Sequence, residues 1–466
     1  MDSEPFLPKR ERDMETTLVS QEPKVRRKST YRLRSRPEER PRAVPPEPGP
    51  ERVAQVSSAP AAPAPTGESL AGLAVCGLLI FVAVGRVQEL WAPLTGLRLG
   101  LTAVVLAALA SVGKDWTILR ARLDTTKGKL VLGLFVLSFL SVPFGVWPGY
   151  SLEFIGDKTV LLLIFFGVLL LHARTATGVM VLAWTMAASA LALALAGLSG
   201  LTAGRRLAAS ATYDPNDMAF IMLCGLPFVL LVAKRLRGVA RWLALGAAVV
   251  IVLAISSTGS RGGAIGLTVV GGFLLVADRT LGLGKRVALV VAGALIFWFL
   301  APPSAQERFL TMFTPEEDYN VSASSGRVET WKRGIKIMFM HPVLGVGVAG
   351  FETANGIYFG SEGSRWKAAH NSLIEVGAEL GLPGLAMFVF LLWASLRSML
   401  RLSWSDSLPP GHPFRDLGMA VATSLVGYVA AGFFLSQGYS SVVYLLVAMT
   451  ILVEDMSPAV SSPAKE

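Results

Sequence analysis

Apolar runs long enough to cross a bilayer, separated by short polar connections, recur from about residue 69 almost to the end of the chain. They fall near 69–85, 97–113, 130–147, 159–172, 176–198, 217–233, 242–257, 264–277, 287–302, 384–398, 416–435 and 440–454. An α-helix rises about 1.5 Å per residue and satisfies its own backbone polar groups, so such runs suit a hydrocarbon core about 30 Å thick. The pattern predicts an all-α polytopic membrane protein with about twelve transmembrane helices. One connection breaks the rhythm: 303–383 holds no uninterrupted span and mixes charged, aromatic and glycine-rich patches. The expected organisation is therefore a tail over 1–67, helices one to nine over 68–302, one large extracytoplasmic loop over 303–383, helices ten to twelve over 384–454, and a short tail over 455–466.

The polar connections set the orientation. Lys114, Arg120, Arg122, Lys127 and Lys129 share one connection, Lys234, Arg235, Arg237 and Arg241 another, and Arg279, Lys285 and Arg286 a third. Arg397, Arg401 and Arg415 mark a fourth. An even number of spans puts all four on one side, and basic short loops stay in the cytoplasm. Both termini are then expected inside, and 303–383 outside. The first apolar run begins near Leu70 behind a long charged stretch without a small-residue cleavage site, and so reads as a span, not a leader.

Composition agrees. Of 466 residues 52% are hydrophobic and 16% charged, against about 25% charged in soluble domains, and mean hydropathy is +0.53. The net charge of +10 raises nucleic acid as a partner, but much of it lies in the first 67 residues, which are rich in Pro, Arg and Glu and lack apolar periodicity. That segment is expected to be a disordered cytoplasmic tail. Its basic stretch from Lys24 to Arg42 suits anionic lipid at roughly 1 kcal/mol per basic residue, or a protein partner, or simple solvation. No nucleic acid is expected. Cys76 and Cys224 fall inside apolar runs and behave as small hydrophobes, so neither a disulfide framework nor a thiolate metal site is expected.

Four segments carry candidate chemistry. In SSTGSRGGAIGL, Arg261 sits in a glycine-rich link between two spans. An arginine near the bilayer costs about 2.5–3.5 kcal/mol on lenient scales, so it faces a polar cavity or a ligand unless it snorkels or pairs with a carboxylate. In AGRRLAASATYDPNDMAF, Arg205 and Arg206 precede Asp214-Pro215-Asn216, which reads as a turn and helix start. Paired guanidinium forks near Arg261 would suit a pyrophosphate; the plainer reading is a loop arginine at the headgroups.

In SSGRVETWKRGIKIMFMHPVLGVGVAGF, Trp331, Ile335 and Met338 at i, i+4, i+7 predict an amphipathic helix on the membrane, ended by His341-Pro342, with Arg327, Lys332 and Lys336 available to anionic groups. Gly345, Gly347 and Gly350 spell a dinucleotide fingerprint, but no strand precedes them, and a tight turn is expected instead. In AAHNSLIEVGAELGLPGLAMFVFLLW, His370 opens a helix capped by Asn371 or Ser372, with a break at Gly381-Leu382-Pro383-Gly384. The positive end of a helix disfavours imidazolium, which leaves His370 neutral and able to act as a general base, or as a capping residue only.

The DPN turn, the SRG link, the GR…W…HPVLGVG stretch and His-Asn followed by GLPG occur together over Arg205 to Leu385. In this order they resemble the O-antigen ligase and O-antigen polymerase superfamily of membrane glycosyltransferases, whose twelve-span layout is similar. The resemblance implies a bacterial inner-membrane enzyme whose periplasmic loop covers a cavity for an undecaprenyl-pyrophosphate-linked glycan. By position it implies His370 as the base activating the acceptor hydroxyl, Arg261 and Arg206 (or Arg205) as pyrophosphate ligands, and Arg327 as a loop contact; His341 reads as structural because Pro342 and the glycines after it give it a helix-ending role. It implies an acceptor that is another lipid-linked glycan, a lipid A core or, as in some relatives, a protein, and other polysaccharide-export proteins as partners. Polymerase is taken ahead of ligase. No cofactor and no metal are expected, since Glu316, Glu317 and Asp318 form the only acidic run in the outer segments and read as solvated loop. A transporter or lipid-linked glycan flippase would also have twelve spans and intramembrane arginines, but would show two related halves.

Overall fold

The computed structural model describes residues 68–90, 92–200, 207, 213–277, 282–311, 314, 323, 326–360 and 366–457. These belong to one compact unit, and among them there is helix but no strand. The polytopic all-α expectation is met. The basic tail over 1–67, Arg205, Arg206, Arg279 and the acidic run Glu316, Glu317 and Asp318 lie outside the described residues.

Six helices are long and apolar enough to cross a membrane: Thr126–Phe144, Pro148–His172, Ala176–Ser199, Pro215–Arg235, Gly238–Ser257 and Ser372–Ser403. A seventh arises if Leu99–Ser111 and Trp116–Leu123, bent by 111°, are one span. Leu70–Ala83, Arg261–Ala277 and Ser441–Met456 have 14, 17 and 16 residues, so the count of about twelve stays an expectation. The centre of the bundle is Pro215–Arg235, Pro413–Gly432 and Ser441–Met456, where Leu223, Val421 and Leu446 are fully buried. Gly238–Ser257 and Leu283–Leu300 are peripheral, and Leu243, Val276, Phe299 and Trp393 are among many apolar side chains left open. So much uncovered apolar surface suits lipid, not water.

Polar contacts sort the helix ends into two layers. At one, Lys114 Nζ donates to Ser69 Oγ at 3.1 Å, and His172 Nε2 pairs with Ser111 Oγ at 3.1 Å. There too Arg122 pairs with Asp455 at 2.8 Å and Lys127 with Glu454 at 2.7 Å. At the other, Tyr213 Oη donates to the carbonyl of Val84 and Ser441 Oγ to that of Ala83, at 3.2 and 3.0 Å. His370 and the connection 433–440 lie in this second layer.

The predicted break at Gly381 is a kink inside Ser372–Ser403, with Gly381 at φ 72°. Pro383 has no N–H to offer the Glu379 carbonyl, and the kink turns the Leu382 N–H away from that of Ala378. Both carbonyls are satisfied from the glycine loop: Val346 N–H donates to Ala378 at 2.9 Å and Gly347 N–H to Glu379 at 3.1 Å. In return the Leu382 N–H reaches the Pro342 carbonyl at 2.8 Å. The HPVLGVG and GLPG segments are therefore two halves of one backbone joint. A Cβ on Gly345, itself at φ 66°, would come within 2.2 Å of the Glu379 carbonyl carbon, so only glycine fits.

The helix Arg327–Met340 forms as expected, but its buried face is shifted. Thr330, Gly334, Ile337 and Met338 are buried and Ile335 is 45% exposed. Gly334 decides this, since a Cβ there would meet Ile374 Cγ2 at 2.3 Å and Phe351 Cε2 at 3.0 Å. The helix packs on Ser372–Ser403 through that notch.

Candidate functional site

All four motif segments meet the connection 433–440. Ser372 Oγ donates to the Leu435 carbonyl at 2.8 Å and accepts from Gln437 N–H at 3.0 Å. Gly438 N–H donates to Glu375 Oε2 at 2.9 Å, and the Gln437 side-chain amide donates to Asp217 Oδ1 at 2.8 Å. The connection is thereby held between the N-termini of Ser372–Ser403 and Pro215–Arg235. Asp214 caps the latter, accepting from Asn216 N–H at 2.7 Å and Asp217 N–H at 2.8 Å, with Asp217 answering to Asp214 N–H at 3.3 Å. Pro215 takes the first helical position, and the DPN turn is a capping box.

His370 stands just before the next cap. Asn371 Oδ1 accepts from Leu373 and Ile374 N–H at 3.0 and 3.1 Å, which leaves His370 at φ 47° in the left-handed region. Few side chains adopt that region, although histidine is among those enriched there. Two hydrogen bonds fix the conformation: His370 N–H donates to Ser436 Oγ at 3.0 Å, and Trp331 Nε1 donates to the Ala369 carbonyl at 3.1 Å. Burial pushes the imidazole pKa down to about 4, with the Arg327 cation adding to it, Asp214 opposing and Lys367 contributing less. The neutral form expected from the helix dipole thus has burial as its main cause.

Arg327 opens the Arg327–Met340 helix after Gly326 and acts on His370 through space. Trp331, one turn on, packs edge-on against Phe433 with ring centroids 5.2 Å apart and tilts against Phe434 at 6.2 Å. Phe434 in turn abuts Gly262, where a Cβ would lie 3.1 Å from its own. The SRG link therefore reaches the site through an aromatic step. Arg261 Nε donates to the Arg308 carbonyl at 3.0 Å and its Nη2 to Thr311 Oγ1, while Arg308 Nε returns a bond to the Gly259 carbonyl at 3.2 Å. So the structure brings together His370, Arg327 and the DPN cap, ties Arg261 to the helix Pro303–Leu310, and leaves Arg205 and Arg206 outside the described residues.

His341 ends its helix and pairs through Nε2 with Tyr358 Oη at 2.9 Å, their rings stacked 5.7 Å apart. Sequence reading missed Ser436, Gln437 and the joining role of Trp331. The polar run Ser436-Gln437-Gly438-Tyr439-Ser440-Ser441 between two apolar spans was the available signal.

Beside His370, between the start of Pro148–His172, the helix Phe351–Phe359 and the start of Ser372–Ser403, lies an open cavity of about 360 Å³. Ala369 and Ser436, the neighbours that hold His370, form part of its wall. Among the described residues no cluster of three His, Cys, Asp or Glu side chains is arranged to hold a metal ion.

Residues 246–389 match the family model described as O-antigen ligase. The matched segment contains Arg261, Arg327, the glycine loop, His370 and the Gly381 kink, and bears out the resemblance read from the motifs. No curated protein matches the chain.

Proposed function

We propose, from the premise that this chain carries an O-antigen ligase segment and so works in lipid-linked glycan processing, that it transfers or polymerises undecaprenyl-pyrophosphate-linked glycan at the periplasmic face of the inner membrane. The observation that carries the reading is His370: half-buried beside the Arg327 cation, kept neutral, and locked by Ser436 and Trp331 at the meeting point of the motif segments. A neutral imidazole accepts the proton of an acceptor hydroxyl as its oxygen attacks the anomeric carbon. The bond from that carbon to the pyrophosphate oxygen breaks, and the lipid pyrophosphate leaves with inversion. Arg327 and Arg261, with Arg206 or Arg205, neutralise the leaving charge. Guanidinium groups serve this without a metal ion, and no cofactor enters the step.

The two end layers support the orientation. Arg122, Lys127, Lys114 and the C-terminal carboxylates Glu454 and Asp455 share one layer, opposite His370. Basic connections favour the cytoplasm, so His370 faces the periplasm and both ends of the described chain face the cytoplasm. Polymerase is preferred to ligase, the acceptor being a second lipid-linked glycan in place of a lipid A core; other export proteins are the natural partners. The test is His370→Asn, which suits a left-handed backbone but cannot take the proton, expressed in cells lacking the native copy. Loss of long polysaccharide with accumulated lipid-linked precursor, at normal membrane protein level, supports the reading. Undiminished polymer overturns it in favour of a transporter.

A further inference from the structure

The cavity beside His370 has walls the mechanism above does not use. Trp147 and Tyr150 on one side stand 5.4 Å apart, tilted by 30°, with Trp147 50% exposed toward open space. Trp366 faces the same space from the other, 53% exposed, its ring about 4.0 Å from where a Cβ on Gly356 of the helix Phe351–Phe359 would stand. Between these aromatic surfaces sit Glu352, Glu375 and Lys158. Glu375 spends Oε2 on Gly438, leaving Oε1 to the cavity, and among the described residues Glu352 and Lys158 form no ion pair. Lys158 is delivered by a π-helical turn, Ile155–Thr159, whose extra residue interrupts Pro148–His172. Such turns are rare and cluster at functional sites. At the cavity floor the Tyr439 hydroxyl is buried beside Glu379 without a well-formed hydrogen bond.

Flat aromatic faces flanking a few hydrogen-bonding charges match one class of guest. The C–H face of a pyranose ring is apolar and rests on an aromatic ring, while its hydroxyls donate to carboxylates and accept from an ammonium or a phenol. About 360 Å³ lies within the range of small-molecule sites. Glu352 stands on this wall with no ion-pair partner among the described residues, and its carboxylate disfavours a guest that is itself an anion. We propose that this cavity is the subsite for the acceptor sugar, and that it takes an uncharged or amino pyranose in preference to a uronic acid. The inference rests on the glycosyltransfer reading and adds the identity of the pocket from which the hydroxyl meets His370: Ala369 and Ser436 in its wall put the sugar next to the imidazole, while Arg327 and Arg261 define the donor side.

The experiment is saturation-transfer difference NMR on the full chain in nanodiscs, with the methyl glycosides of glucose, N-acetylglucosamine and glucuronic acid as probes. The expected result is signal from the first two that falls at least threefold in Trp366→Ala and in Glu352→Gln and persists in Arg122→Gln, at the opposite end layer. Glucuronide signal is expected to be weak in the native chain and to rise in Glu352→Gln, which keeps a hydrogen-bonding group while removing the charge. Absence of signal from every sugar, signal indifferent to both cavity variants, or glucuronide binding best in the native chain overturns the proposal. Binding is read here without transfer, so failure of the His370 test in cells with an intact sugar signal would remove the reaction and leave the subsite.

Discussion

The backbone N–H of His370 donates to Ser436 Oγ at 3.0 Å across 66 residues of chain. That bond steadies a side chain whose own backbone, at φ 47°, is unfavourable. Ser436→Ala removes the acceptor at a cost of about 1 kcal/mol, and part of it falls on the placement of the imidazole. The expected outcome is a several-fold drop in polymer at unchanged protein level, recovered in Ser436→Thr; gel analysis of surface polysaccharide beside an immunoblot reads both.

The His370 pKa of about 4 has two consequences for pH. An unfolded histidine titrates near 6.5, so between these values the unfolded chain binds the extra proton. The stability this group contributes is present above about 6.5 and is lost as pH falls toward and through 4. The acid limb of a pH–rate profile, measured on purified protein with lipid-linked glycan, is expected near pH 4. In Arg327→Gln the lost positive neighbour raises that inflection. An inflection that stays put while the rate falls would make Arg327 a ligand for substrate only.

Gly381 cannot be replaced without loss. Besides its φ of 72°, a Cβ would meet the Val343 carbonyl oxygen at 2.6 Å and that of Pro342 at 2.7 Å, both backbone atoms. Gly381→Ala is expected to destabilise the protein by about 2 kcal/mol or more, seen as a lower Tm in detergent. Gly156→Ala, with nothing within 4 Å of the added methyl, serves as the control.

At the opposite end layer Arg122 is 4% exposed and holds Asp455, together with the carbonyls of Leu170 and Ala173. Arg122→Gln strands those acceptors. A loss on the order of 2 kcal/mol is expected, below the 3–5 typical of a fully buried pair because Asp455 is half exposed to solvent. The same detergent melt measures it, and the sugar signal at the distant cavity should not change.

What the sequence displayed was whatever a few consecutive residues determine. Asp214-Pro215-Asn216 read as a helix start because the turn and the fixed proline φ lie in consecutive positions, and Gly381 with Pro383 read as a break because both also lie close together in the chain. His370 stood visibly before a capping Asn371. Hidden was everything made by distant segments. Ser436 owes its part to His370, and Lys158 to a cavity whose other wall begins near residue 349. The stripe on Arg327–Met340 was misplaced because periodicity alone does not know that Gly334 is the notch into which Ile374 and Phe351 fit.

The exchange of hydrogen bonds between the glycine loop and the kinked helix fixes where this protein can be recombined. A chimera taking only 303–371 from a relative would import a loop whose amides seek carbonyls that a foreign helix presents elsewhere, and would strand the Ala378 and Glu379 carbonyls of the host. The transplantable module runs on through Gly384. Specificity grafts with their seam inside the straight part of the helix, beyond that point, are the ones whose loop will arrive already folded.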